Sequence, residues 1–202
     1  MGRGRRLGGV ATTMALAVMM SGCASLLAGG DKALPTFDLS APSGFNVARV
    51  GAGQLVVAPP TAVQVLDTER IVVEPAPGQI TYLDKAQWAD RLPALFQARL
   101  IESFENANRP RTVVRSDSGI TSDYILLTDI RTFGIQVSPA GAEAVVEVSA
   151  KIVANTSGRI VAAQVFTGRA AAAGTDGPQA TLAIDAASDQ VFADIVRWAA
   201  AR

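Results

Sequence analysis

The chain has 202 residues, with 18 basic and 18 acidic side chains, no formal net charge and a pI near 6.3. Apolar residues make up 49 % and charged residues 18 %, which is enough for one packed domain and too little charge for a disordered chain. The lack of histidine excludes Ser-His-Asp triads, Cys-His dyads and imidazole metal sites; the single cysteine excludes an intrachain disulfide and a thiolate zinc cage; neutrality and 5 % aromatics exclude a nucleic-acid platform.

The first segment reads as an address. Arg3, Arg5 and Arg6 precede an apolar run over residues 10–20, interrupted by Thr12 and Thr13. That run is about half of the ~20 residues a spanning helix needs and fits the apolar region of a signal peptide. It ends in Met20-Ser21-Gly22-Cys23, which resembles the bacterial lipobox: small residues let the peptide into a signal peptidase, and the cysteine thiol is the nucleophile that takes a diacylglycerol. Residues 1–22 are therefore expected to be a lipoprotein signal peptide and Cys23 the lipidated N-terminus. The signal carries three arginines and no acid, so the mature chain holds 15 basic and 18 acidic residues, a net charge of about −3. An anionic membrane would repel it mildly, and attachment rests on the acyl chains (palmitate and a diacylglycerol), which together anchor stably where one chain does not. Ala24 and Ser25 follow the cysteine, without the aspartate that marks inner-membrane retention; this favours the outer membrane, facing the periplasm.

Residues 23–53 are rich in Gly, Ala, Ser and Pro and read as a tether, with one extended piece at residues 36–39 between Pro35 and Pro42. The folded domain is expected over residues 54–202. Residues 54–58 and 70–74 are strand candidates, Pro75-Ala76-Pro77-Gly78 is a turn, and residues 79–83 are a returning strand. Asp84 and Gln87 have capping-box spacing, so a helix is expected from there to about residue 107. Trp88, Leu92, Phe96, Leu100 and Phe104 would line its apolar face, with Pro93 kinking its first turns. Residues 112–115 form a short strand, and residues 123–137 a long one, broken or bulged near Gly134. Residues 142–154 alternate, with Ala144, Val146, Val148, Ala150 and Ile152 on one side and Glu147, Ser149 and Lys151 on the other, as a half-buried strand does. Asn155-Thr156-Ser157-Gly158 turns the chain into a partner strand over 159–170. Thr175-Asp176-Gly177-Pro178 opens a last helix to about residue 201, with Ile184, Ala187, Val191, Ile195 and Trp198 on one face. The expected fold class is α+β: a two-layer sandwich, a mostly antiparallel sheet with two amphipathic helices on one face.

Little in the chain carries chemistry. Gly51-Ala52-Gly53 lacks the rest of a dinucleotide fingerprint and the lysine of a P-loop. The near-pairs Asp67–Glu69, Asp185–Asp189 and Glu102–Glu105 read as solvated polar faces, since glycoside hydrolysis would also need a cleft and aromatic platforms. No Gly-x-Ser-x-Gly elbow occurs. No catalytic residue, cofactor or metal is expected. Trp88 and Trp198 read as core anchors on helix faces, or as the wall of a lipid or partner groove.

Several segments together resemble the ABC-type transport auxiliary lipoprotein family, which includes the paraquat-inducible protein C type lipoproteins. They are Phe37-Asp38-Leu39, Leu66-Asp67-Thr68-Glu69-Arg70-Ile71-Val72-Val73, Tyr82 and Trp88-Ala89-Asp90-Arg91-Leu92-Pro93. Further along come Ser122-Asp123-Tyr124-Ile125-Leu126, Asp129-Ile130-Arg131-Thr132-Phe133 and Ser157-Gly158-Arg159-Ile160-Val161. Phe37 stands where the family usually has tyrosine. The resemblance implies a non-enzymatic part: a lipoprotein accompanying an ABC permease and ATPase and an MCE-domain (mammalian cell entry) protein that move lipid between two membranes, with this chain at the outer-membrane end. Two readings stay open. One is an adaptor that docks the MCE protein, in which copies of the chain could form a homo-oligomeric ring. The other is a phospholipid carrier with an apolar pocket between helices and sheet. A third, a hydrolase of envelope polymers, lacks a constellation to support it.

Overall fold

The computed structural model describes residues 2, 34–49, 51–108, 112–116, 119 and 121–202. Within Leu34–Arg202 the chain runs β1 (Thr36–Phe37), β2 (Leu55–Val57), β3 (Thr61–Ala62), β4 (Arg70–Ala76), β5 (Gln79–Trp88), α1 (Leu92–Asn106), β6 (Val113–Arg115), β7 (Tyr124–Ser138), β8 (Gly141–Ala154), β9 (Arg159–Ala172) and α2 (Gly177–Ala200). The class is mixed α+β, an open sheet with two helices.

The sheet is organised by β7. Its 15 residues pair along one edge with β8, antiparallel over nearly their whole length, and β8 pairs in turn with β9. Along the other edge of β7 lie β2, β3 and β4 in succession, all parallel to it. One stretch of chain thus travels beside β7 in a single direction, leaving the ladder at Pro59-Pro60, neither of which has an N–H to donate, and again over residues 63–69. β4 turns back antiparallel into β5, β1 runs parallel to the end of β5, and β6 runs parallel to β2. The long ladders are antiparallel as expected, but every short strand joins in parallel, so the sheet is mixed. Parallel neighbours need a long crossover, and residues 77–123, with β5 and α1, supply it between β4 and β7.

The alternation in β8 predicts its burial except at Ser149, expected on the open side but buried, and Val145 on that side is buried too. Ala144, Val146, Val148, Ala150 and Ile152 are fully buried, while Glu147 is half-buried and Lys151 exposed. β7 keeps in step through a bulge: Ile130 faces Val148 and Thr132 faces Glu147, so Arg131 is the extra residue. Before it Leu126, Thr128 and Ile130 point into the core; after it Phe133 and Ile135 do. The irregularity expected near Gly134 therefore falls at Arg131. Gly134 answers another need: a Cβ there would lie 2.3 Å from the carbonyl oxygen of Val72, because β4 passes that close.

The first expected helix is corrected over residues 84–91. Asp84 caps no helix. β5 continues to Trp88, after an excursion in which Lys85 takes φ 55°. Ala86 and Trp88, two apart, are both buried, as a strand requires. The Trp88 N–H donates to the carbonyl of Glu69 at 2.7 Å. α1 begins only at Leu92, and Pro93 sits in its first turn, where no intrahelical N–H is lost. The proline starts the helix instead of kinking it. Trp88 is an anchor as expected, but from the end of a strand: its ring meets Phe133 edge-on at 6.0 Å, Phe133 meets Phe96 at 6.5 Å, and Phe96 meets Phe192 at 4.9 Å. This chain of rings ties β5, β7, α1 and α2 together.

α2 packs chiefly against β9 and β8, and α1 against α2 and β6. Its start is the expected one: Asp176 accepts from the N–H of Gln179 at 3.0 Å with Pro178 in the first turn. Ile184, Ala187, Val191 and Ile195 are buried. Trp198 is only half-buried and lies edge-on to Phe166 of β9 at 5.5 Å. Among the described residues no helix is long and apolar enough to cross a membrane.

Residues 34–49, expected as tether, are folded onto the domain. β1 joins the sheet beside β5, with Gln87 and Ala89 donating to the carbonyls of Pro35 and Phe37. Leu39 and Val47 are buried in the core. The flexible composition was misleading because two apolar side chains and a few non-local hydrogen bonds suffice to hold an extended strap.

Candidate functional site

Cys23, the expected lipidation residue, lies outside the described residues, as do residues 3–22 and 24–33. What the structure places is the strap that follows. Ser40 donates its N–H to Asp185 Oδ1 at 2.7 Å and its hydroxyl to Asp185 Oδ2 at 2.9 Å, with Asp189 Oδ1 3.3 Å from the same hydroxyl. Arg99 of α1 pairs with Asp38 of the strap and with Glu102. Val47 donates its N–H to the side chain of Asn108. Burial pushes the Asp189 carboxyl above its ordinary range, the charge of Asp185 one turn earlier adds to this, and the Ser40 hydroxyl pulls the other way.

Each of the three carboxylate near-pairs thus has at least one member with a structural partner. Asp185 and Asp189 hold Ser40; Glu102 pairs with Arg99; Asp67 pairs with Arg91 just before α1. The structure does not bring them into one cleft. Among the described residues no three acids or cysteines gather as a metal site would require.

Three hollows lie around the segment between β3 and β4, and another, of about 180 Å³, lies between Pro59, Thr61 and the β7–β8 pair at Leu127, Asp129 and Lys151. One of about 430 Å³ lies between Pro59–Ala62 and the first turn of α1, walled by Asp67, Arg91 and Pro93. A second, about 150 Å³ and mainly apolar, sits on the sheet face that carries Val72 and Thr132, with Val63, Val65 and Ile80 around it. A shallow depression of about 750 Å³ adjoins it across Val63 and Val65 and runs to Arg70 and Tyr82. None of these three lies between α2 and the sheet. Val63 and Ile80, which flank the second hollow, are 60 % and 52 % exposed. The loop over this face is held by a turn, in which Leu66 and Asp67 donate to the carbonyl of Val63, and by the Tyr82 hydroxyl, which donates to the carbonyl of Val65 at 3.4 Å. Arg70 stacks on the Tyr82 ring, its guanidinium carbon 3.7 Å from the centroid. Sequence reasoning gave Val63, Arg70 and Ile80 no binding role: Arg70 and Ile80 stood only in strand candidates, and Arg70 also in a family segment. The available signal was the apolar character of residues 62–66 outside any helix or strand period.

The described residues thus form a mixed sheet organised on one long strand, with two helices, a folded N-terminal strap and a groove beside the loop between β3 and β4. The chain belongs to the family described as the ABC-type transport auxiliary lipoprotein component, whose model matches residues 36–196. That is a family of transport lipoproteins at the cell envelope and not one of known enzymes. An uncharacterized protein of Bradyrhizobium diazoefficiens is 33 % identical over 187 residues, which cover 89 % of this chain and 49 % of that protein. The chain therefore spans about half the length of the curated relative it matches. Among solved structures, the protein XCC0632 of Xanthomonas campestris is similar with a TM-score of 0.75 and 28 % identity, over 82 % of this chain and 94 % of that one. A further uncharacterized protein shares the fold at a TM-score of 0.63 and 15 % identity, over 82 % and 98 % of the two chains.

Proposed function

We propose that the chain is an outer-membrane-anchored periplasmic lipoprotein, held by acyl chains on Cys23 after removal of residues 1–22, that docks the periplasmic MCE-domain protein of an intermembrane lipid transport system. Membership of the transport auxiliary family over residues 36–196 carries this reading. The folded strap sharpens it. The domain begins at Leu34, so ten residues, 24–33, separate Cys23 from it. Ten residues span at most about 36 Å when fully extended. An adaptor on so short a lead works close to its membrane, and the partner has to come to it.

The test is a tagged pull-down from detergent-solubilised envelopes with mass spectrometry of the recovered proteins. Recovery of an MCE-domain protein with its ABC permease or ATPase is the expected result. Recovery of none of them, with the lipoprotein intact and acylated, would leave the family membership standing and overturn the docking role.

A further inference from the structure

The groove beside the loop between β3 and β4 has the features of a specific seat. The 150 Å³ pocket between Val63, Val72 and Ile80 is the size of a cavity that takes a benzene ring, enough for one aromatic or branched side chain and far too small for an acyl chain. Its apolar walls stand half in solvent, since Val63 and Ile80 are 60 % and 52 % exposed. The charges facing this groove are largely matched. Glu74 accepts from Gln136 Nε2 at 3.0 Å and from the N–H of Gly78 at 2.8 Å; Asp67 pairs with Arg91; Arg131 lies 3.9 Å from Asp129 and 3.6 Å from Glu147. Arg70 differs. It makes no ion pair among the described residues, yet Tyr82 holds its guanidinium plane in place at the end of the adjoining depression. A planar cation fixed in this way is prepared for a carboxylate.

We propose that this groove receives a segment of the partner protein in which one aromatic or branched apolar side chain, seated between Val63 and Ile80, is accompanied by an aspartate or glutamate on Arg70. The inference rests on the docking reading above and specifies its surface.

The experiment places the photo-crosslinker benzoylphenylalanine at Val63 and at Ile80 of the full-length lipoprotein in intact envelopes, with Ile160 on β9 and Leu182 on α2 as exposed apolar controls elsewhere. Crosslinks from 63 and 80, but not 160 or 182, to a transporter component are the expected result. Arg70→Glu should lower their yield at least about tenfold, while Arg70→Lys keeps part of it; unchanged melting of both variants shows that the fold is kept. Crosslinks from 160 or 182 alone, an adduct of lipid mass at 63 and 80, or undiminished yield from Arg70→Glu would each overturn the proposal. The two readings fail separately. If wild-type protein recovers no transporter component in the pull-down, the docking role falls; if it does and these variants change nothing, only the surface assigned here falls.

Discussion

Gly168 of β9 offers the sharpest test of how α2 is seated. The residue lies opposite Val146, on the buried side of the sheet, and a Cβ built on it would come within 2.0 Å of the carbonyl oxygen of Ala187 and 3.0 Å of Val191 Cγ2. Ordinary contact begins near 3.4 Å. Gly168→Ala therefore lifts α2 from the sheet by more than an ångström, or forces β9 aside by as much. The obstructing atom is backbone, so no rotamer change relieves it. The helix face concerned carries Ile184, Ala187, Val191 and Ile195, all buried to within 1 %, so lifting it loosens packing on a wide front. Overpacking of this kind costs about 3 kcal/mol, at the top of its usual range because the clash is rigid. For a domain of this size that is a fall in Tm of about 6–12 °C. Circular-dichroism melting of the purified protein reads it. Thr167→Ala, the exposed neighbour, should stay within about 0.5 kcal/mol of wild type. Adding Ala187→Gly should rescue nothing, since the carbonyl remains. A Gly168→Ala variant melting within about 1 °C of wild type would refute the reasoning and mean that α2 does not sit on β9 at Gly168.

Three further outcomes follow from particular residues. Trp88→Ala removes a fully buried ring from the aromatic chain and should cost about 3–5 kcal/mol in urea unfolding; a loss below about 1 kcal/mol with the fold kept would mean that Trp88 serves a surface. Because the native Asp189 carboxyl binds its proton more tightly than the unfolded one, its contribution to stability falls as pH rises above the ordinary carboxylate value. Asp189→Asn, whose amide oxygen can still accept from Ser40, should match wild type below that pH. At pH 7 it should be more stable than wild type, by a margin reduced by solvent screening of this part-exposed group, and a variant less stable than wild type at pH 7 would contradict this. Cys23→Ala should leave the domain folded and release it from membranes on fractionation; retention at high salt would remove the lipid anchor from the proposal.

Much of the fold was legible where burial follows a local period. β8 could be read from its alternation, α2 from Asp176, Pro178 and its apolar face, and the β8–β9 turn from Asn155 to Gly158, because strand and helix geometry impose those spacings on any chain that half-buries them. Residues 84–91 were not legible. Their spacing fits a capped helix as well as a strand, and what decides is a distant partner: the carbonyl of Glu69 and the buried space beside Phe133 that Trp88 fills. The strap at 34–49 and the groove were hidden for a related reason. Leu39 and Ile80 sit in short extended pieces and Val47 and Val63 outside any expected element, and only the folded sheet shows which become buried and which stay at the rim of a pocket.

By itself the sequence determined the class of protein: a neutral, histidine-free chain with one α+β domain, its strongest local periods and the segments that mark its family. The tertiary structure alone decided that the short strands run parallel beside β7, that the domain begins twenty residues earlier than composition suggests, and that Arg70 and Tyr82 meet beside an apolar pocket. The physical division is one of range. Propensity, capping and alternation act within a few residues, whereas register, close backbone approach at Gly134 and Gly168, and the pairing of Ser40 with Asp185 depend on contacts between segments far apart in the chain.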